Sequence, residues 1–217
     1  MNQNSGNGNN PQMNIPNPAV IEVGQGGERH YDVYSRLLKD RIVYLGTQVV
    51  PASANMIVAQ LLYLNTEPEK PVHLYINSPG GSVHDGLAIY DVMQFIKCPV
   101  HTYVLGMAAS MGSFLAMCGE KGNRYILPNA MTMIHQPHLG NGGIGGQVTD
   151  VEIQAKNLIQ TKEKLTRIYS LHTGKPYEEL RDMMERDRYL TPTEAVALGL
   201  ADHIIESDKL KALANKR

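Results

Sequence analysis

A chain of 217 residues with 42% hydrophobic and 19% charged residues is long enough to bury one sizeable core and too apolar to be disordered. Its 20 basic and 21 acidic side chains nearly cancel, so no electrostatic footprint for nucleic acid or an anionic membrane is expected. Cys98 and Cys118 are too few for a disulfide framework or a zinc cluster, which points to a reducing compartment; no apolar run spans a bilayer, and no secretory signal is expected at the start.

Residues 1–18 stand apart, because five of the first ten are asparagine and three prolines follow by Pro18. They read as a disordered arm or propeptide. Composition starts the structured domain near Tyr31. Residues 41–45 form a short strand closed by Gly46. Residues 52–64 have helical spacing, with Met56, Ala59, Gln60 and Tyr63 on one side and Ile57, Leu61 and Leu64 beside them. A strand over 72–76 runs into a Pro/Gly loop over 77–82, then a helix over 83–96 that breaks at Pro99. A strand over 100–105, a helix starting at 113–117 and short strands at 125–127 and 131–134 follow. A long helix covers 147–172, with Val148, Val151, Ala155, Leu158, Leu165, Ile168 and Leu171 largely on one stripe. Gly174 ends it and Pro176 starts another. Thr191-Pro192-Thr193-Glu194 is a capping box, its helix stops at Gly199, and residues 201–205 are a last strand. Repeated strand–helix alternation implies an α/β fold.

The chemistry centres on Gly106-Met107-Ala108-Ala109-Ser110-Met111-Gly112. A serine at a strand-to-helix junction exposes its hydroxyl at the end of a sheet, and the helix start aims free N–H groups at the same point. Small neighbours admit a tight turn and a substrate backbone. A serine merely capping a core helix would look similar. An active serine needs a base, and His30, His73, His84, His101, His135, His138, His172 and His203 are the candidates. His135 stands out because it ends an apolar strand. Pro137 keeps His135 and His138 from sharing a helix face, and a third metal ligand is not evident.

Ser78-Pro79-Gly80-Gly81-Ser82 joins a strand to a helix, where converging N–H groups could form half of an oxyanion hole. Gly140, Gly142 and Gly145 match a dinucleotide fingerprint, but the second strand and its acidic residue are needed about twenty positions on, and that position lies inside the helix that continues to His172. A glycine-rich extended segment there also suits pairing with a peptide as an added strand. An acid must orient the base; spacing does not choose Asp187 over Asp150, Asp182 or Asp202.

Taken together, these segments resemble the proteolytic subunits of the Clp protease family, ClpP, from about residue 19 to 206. The resemblance rests on Tyr-Ser-Arg-Leu-Leu-Lys (34–39), Tyr-Ile-Asn-Ser-Pro-Gly-Gly (75–81), the serine segment (106–112), Met-Ile-His-Gln-Pro (133–137), Leu-His-Thr-Gly (171–174) and Glu-Arg-Asp-Arg-Tyr-Leu (185–190), all in order. It implies Ser110 as nucleophile, His135 as base and Asp187 as acid, with the Gly81 and Met111 N–H groups as oxyanion hole. It implies a ClpP/crotonase-like α/β fold of ββα units with a protruding handle helix, here about 147–172, and a C-terminal tail over 207–217. It further implies two stacked heptameric rings and an AAA+ unfoldase of ClpX, ClpA or ClpC type, docked on a pocket containing Tyr75 and Tyr125. The unfoldase uses the ATP; no cofactor is expected in this chain, and the location implied is the bacterial cytoplasm. His73 departs from the tyrosine many members carry in that pocket, and the stretch 138–146 is longer by a few glycine-rich residues.

The competing readings are a crotonase-type acyl-CoA enzyme, which shares the fold but uses paired carboxylates, and a non-catalytic ring subunit, which would lack members of the Ser110, His135 and Asp187 set.

Overall fold

The computed structural model describes residues 18–24, 27–139, 143 and 145–207. The arm at 1–17, Gly140, Gly142 and the tail from 208 lie outside the described residues. Order begins earlier than composition implied. Strands β1 (Ala19–Gly24) and β2 (Gly27–Asp32) pair antiparallel as a separate hairpin. Neither strand has an apolar face for the core, which is why hydrophobic patterning passes over them. The hairpin is tied down electrostatically instead: Glu22 meets both Arg36 and Lys39 of helix α1 (Val33–Lys39). Asp32 caps α1 by accepting the Tyr34 and Ser35 N–H groups, each at 3.0 Å.

The body alternates strands and helices. Strand β3 (Ile42–Leu45) leads to α2 (Pro51–Leu64), β4 (Val72–Ser78) to α3 (Val83–Phe95), and β5 (Val100–Ala109) to the short α4 (Met111–Met117). Strands β6 (Arg124–Ile126) and β7 (Met131–Ile134) follow, then the 26-residue α5 (Val148–Thr173). The chain continues through α6 (Tyr177–Met183), β8 (Arg188–Leu190), α7 (Pro192–Ala197) and β9 (His203–Ile204). The capping box forms as read: Thr191 Oγ accepts the Glu194 N–H at 3.3 Å, and the Glu194 carboxylate accepts the Thr191 N–H at 2.8 Å.

Strands β3, β4, β5, β6 and β9 run parallel in that order. Val72, Leu74 and Ile76 of β4 turn into the core, while His73 and Tyr75 occupy the other, half-buried face. Two sequence expectations change on packing. Helix α2 buries Ala54, Ile57, Leu61 and Leu64, and leaves Met56 and Tyr63 exposed. The stripe read along α5 is buried only near its end, at Leu165 with Thr166 and Tyr169; Val148 is 82% exposed and Leu171 74%. The first half of α5 contributes no buried residue to the core: Ala155 and Leu158 are half-buried, while Val148, Val151, Ile153 and Ile159 are exposed.

Strand β5 extends past the expected 100–105 to Ala109 and changes partners on the way. Its first half pairs with β6, Thr102 to Val104 opposite Arg124 to Ile126. Its second half pairs with β7, Met107 to Ala109 opposite Met131 to Met133. Strand β8, absent from the sequence reading, adds antiparallel to β7 with Ile134 opposite Arg188. This side sheet positions the site.

Candidate active site

The register of β5, β7 and β8 brings three side chains to one edge. Ala109 lies opposite Met133, so Ser110 and His135 leave adjacent parallel strands side by side. Ile134 lies opposite Arg188, so antiparallel register sets Asp187 against His135. His135 Nε2 is 2.8 Å from Ser110 Oγ, and His135 Nδ1 is 3.0 Å from Asp187 Oδ1. With a carboxylate as acceptor, Nδ1 carries the proton and the Nε2 lone pair faces the serine hydroxyl. The His135 side chain is 13% exposed and that of Asp187 56%.

Ser110 adopts φ 53° and ψ −122°, a left-handed conformation at a non-glycine residue. Such a residue carries about 1–3 kcal/mol of strain and persists only where its surroundings hold it. Here its N–H donates to the Met133 carbonyl at 2.9 Å, and its own carbonyl accepts from Phe114 N–H at 3.0 Å and Ser113 Oγ at 2.7 Å. The turn lifts the hydroxyl clear of the strand end.

The glycine loop packs against that turn. A Cβ at Gly80 would lie 2.6 Å from the Ala109 carbonyl oxygen and 2.7 Å from Ser110 Cβ, and one at Gly81 would collide with the Val49 carbonyl. Both glycines have positive φ, 90° and 149°. Close approach is therefore what requires them. The Val49 and Ser82 N–H groups bond to Gly80 O and Val49 O, while the Gly81 N–H has no acceptor among the described residues. Met111 opens α4, so its N–H has no intrahelical acceptor either. A recess of about 20 Å³ between Ser110 and His135 is walled by Val83, Met111, Phe114, Pro137, Leu165 and Tyr169.

The other candidates go elsewhere. Asp202 is ion-paired with the buried Arg124, whose Nε donates to it at 2.8 Å. Burial pushes the Asp202 carboxyl up, but the Arg124 guanidinium outweighs it and holds the group below the ordinary range. Asp182 pairs with Arg181, and Asp150 accepts the Gln147 N–H at the start of α5. His73 meets the Tyr103 hydroxyl at 2.9 Å, His172 meets Tyr90, and His203 meets the Gly122 carbonyl. His138 packs edge-to-face on His135, with ring centroids 5.3 Å apart, but its Nδ1 faces the Leu139 carbonyl. No cluster of three or more metal-ligating side chains occurs among the described residues.

Sequence reasoning missed Gln136. Its N–H donates to Met184 O at 2.6 Å and its amide to Glu185 O at 2.8 Å, which draws the segment before Asp187 onto the end of β7. It also missed Tyr103. Tyr44, Tyr75, Tyr103 and Tyr125 stand in register across four parallel strands, with His203 next. Tyr103 stacks on Tyr75 at 4.5 Å and on Tyr125 at 4.9 Å, so the two tyrosines named for docking share one aromatic surface. Strand alternation with His101 was the signal that could have found it.

Residues 25–208 match the model of the Clp protease family. The chain is also 63% identical, over 195 residues, to the ATP-dependent Clp protease proteolytic subunit of Bdellovibrio bacteriovorus, covering 89% of this chain and 92% of that one. Crotonase chemistry gains no support from either match. A strand-end serine on a parallel α/β sheet and similarity across nearly the whole domain lead to one conclusion: this chain belongs to the Clp protease family and is a serine peptidase.

Proposed function

We propose that Ser110 attacks the scissile carbonyl, that His135 takes its proton at Nε2, and that Asp187 fixes the imidazole tautomer. The observation that carries this reading is the continuous hydrogen-bonded chain from Ser110 through His135 to Asp187. Attack places negative charge on the carbonyl oxygen, and the Gly81 and Met111 N–H groups stabilise it. His135 then returns the proton to the leaving amine, water takes the place of the amine, and the acyl-serine is hydrolysed by the same steps.

The wider reading is a subunit of two stacked seven-membered rings that enclose the serines. The exposed apolar residues of α5, with Ile153 at 63% and Ile159 at 59%, suit a helix covered by a second ring. An AAA+ unfoldase of ClpX, ClpA or ClpC type would spend ATP to thread unfolded protein into the chamber in the bacterial cytoplasm. Its docking surface is the aromatic row containing Tyr75, Tyr103 and Tyr125. The chain itself uses no cofactor. The segment from Pro18 to Gly27 would line the axial pore; Gln25 and Gly26 within it lie outside the described residues.

The test is degradation of a stably folded, tagged fluorescent protein. Loss of fluorescence only with unfoldase and ATP, alongside ATP-independent cleavage of short peptides, supports the reading. Efficient destruction by this chain alone would contradict the enclosed chamber.

A further inference from the structure

Behind the serine turn lies a buried polar pair, Ser113 and Tyr169, whose hydroxyls take no part in the proposed peptidase steps, although the Tyr169 ring also walls the recess beside Ser110. Ser113 is 1% exposed and Tyr169 3%. Their hydroxyl oxygens are 3.0 Å apart, and Ser113 Oγ donates to the Ser110 carbonyl at 2.7 Å. A serine hydroxyl has one proton. With that proton on the Ser110 carbonyl, the proton between Ser113 and Tyr169 must come from the phenol. Burial pushes the Tyr169 phenol far up, so it stays an O–H donor throughout the working pH range. The polarity of the chain is thereby set: Tyr169 donates to Ser113, and Ser113 donates to Ser110.

The Ser110 carbonyl shares its peptide plane with the Met111 N–H. None of the described peptide bonds is cis, so the two groups point in opposite directions across one rigid unit. A hydrogen bond to the carbonyl end orients the plane and draws electron density from the nitrogen, which makes the N–H a stronger donor.

We infer that Tyr169 and Ser113 form a positioning relay that aims and strengthens the Met111 N–H of the oxyanion hole. The relay ties α5 to the serine turn, since Tyr169 also packs edge-to-face on Phe114 at 5.6 Å. This inference rests on the proposed roles of Ser110 and Met111. Because the Met111 N–H meets negative charge only after attack, the relay acts on the transition state more than on bound substrate.

The experiment measures a short fluorogenic peptide with Ser113→Ala, Tyr169→Phe and the double variant, each checked for wild-type sedimentation. Deleting an oxyanion donor outright lowers kcat about 10²–10³-fold; weakening one should lower it about tenfold for Ser113→Ala and about threefold for Tyr169→Phe, with KM unchanged. The double variant should be no worse than Ser113→Ala, because the two act in series. Inhibition by a peptide aldehyde, whose adduct with the serine carries the same oxygen, should weaken in step with kcat. Affinity for an unreactive product peptide should not change. Unchanged kcat in intact Tyr169→Phe and Ser113→Ala overturns the relay, and so does equal loss of kcat and product affinity, the mark of a merely loosened site. Tyr169→Phe removes one atom, so it reads the relay even where Ser113→Ala fails to assemble. Fluorophosphonate labelling of these variants separates the two levels of the account. Labelling at Ser110 with unchanged kcat rejects the relay alone, whereas labelling elsewhere rejects the Ser110 assignment.

Discussion

Asp187 precedes β8 at the position that antiparallel register sets opposite His135, and its carboxylate lies 3.0 Å from His135 Nδ1. Asp187 is therefore placed beside His135 by backbone pairing. Asp187→Asn removes the negative acceptor but keeps the shape. Peptide hydrolysis should fall by about two to four orders of magnitude while the protein keeps its sedimentation and thermal midpoint. Wild-type rates in verified intact protein would remove Asp187 from the mechanism.

The loop glycines yield a second prediction. A Cβ at Gly80 enters a space already filled by the Ala109 carbonyl and Ser110 Cβ, at φ 90°. Gly80→Ala should both destabilise the protein by about 1–3 kcal/mol and disturb the serine turn. Thermal unfolding and peptidase assays on one preparation check this; normal values of both would contradict the close approach of this loop to the serine turn.

Arg124 is buried and donates to Asp202, to the Met117 carbonyl at 3.1 Å and to the His172 carbonyl at 3.2 Å. It joins β6, the end of α4, the end of α5 and the turn before β9. Arg124→Met strips the Met117 and His172 carbonyls of their guanidinium donor and leaves the Asp202 carboxylate without its counter-charge, held only by the Gly122 and residue-124 backbone N–H groups. The expected loss is about 3–5 kcal/mol in chemical denaturation, more than any exposed pair such as Arg181–Asp182 should show. A loss below that of Arg181→Met would refute the ranking.

Stability should also fall in mild acid. Burial lowers the proton affinity of His73, His101 and His172, helped at His73 by His101 and Arg41 and at His172 by Arg124. The folded state binds fewer protons than the unfolded chain from the ordinary histidine range, about pH 6.5, down to the lowered folded values. Stability is thus full above that range and lost as pH falls through it. The thermal midpoint should drop between pH 7.5 and 5.5, and drop less in His172→Gln. An equal drop in both would exclude His172 as a contributor.

How much was legible in the sequence differs by element. Strand β4 was readable because Val72, Leu74 and Ile76 alternate with polar or aromatic residues, and α7 because its capping box is local. The hairpin β1–β2 was not, since it is held by Glu22, Arg36 and Lys39 and buries no apolar face. The face of α5 was misjudged because periodicity reports an apolar stripe without saying what covers it. At the candidate site, Ser110 and Gly81 stand out in the sequence through local glycine patterns. Asp187 could not be separated from Asp202 by spacing, because the choice depends on β8, a three-residue strand with no periodic signal. Ser113 and Tyr169 are 56 residues apart, a contact that only tertiary packing makes.

The central claim is that Ser110 is the nucleophile made reactive by His135, and labelling with a fluorophosphonate followed by peptide mapping tests it most directly. The account predicts modification at Ser110 in the wild type, none in Ser110→Ala, and almost none in His135→Ala, with peptide hydrolysis lost in both variants while assembly is retained. Modification at another residue, or near-normal hydrolysis by Ser110→Ala, would contradict it.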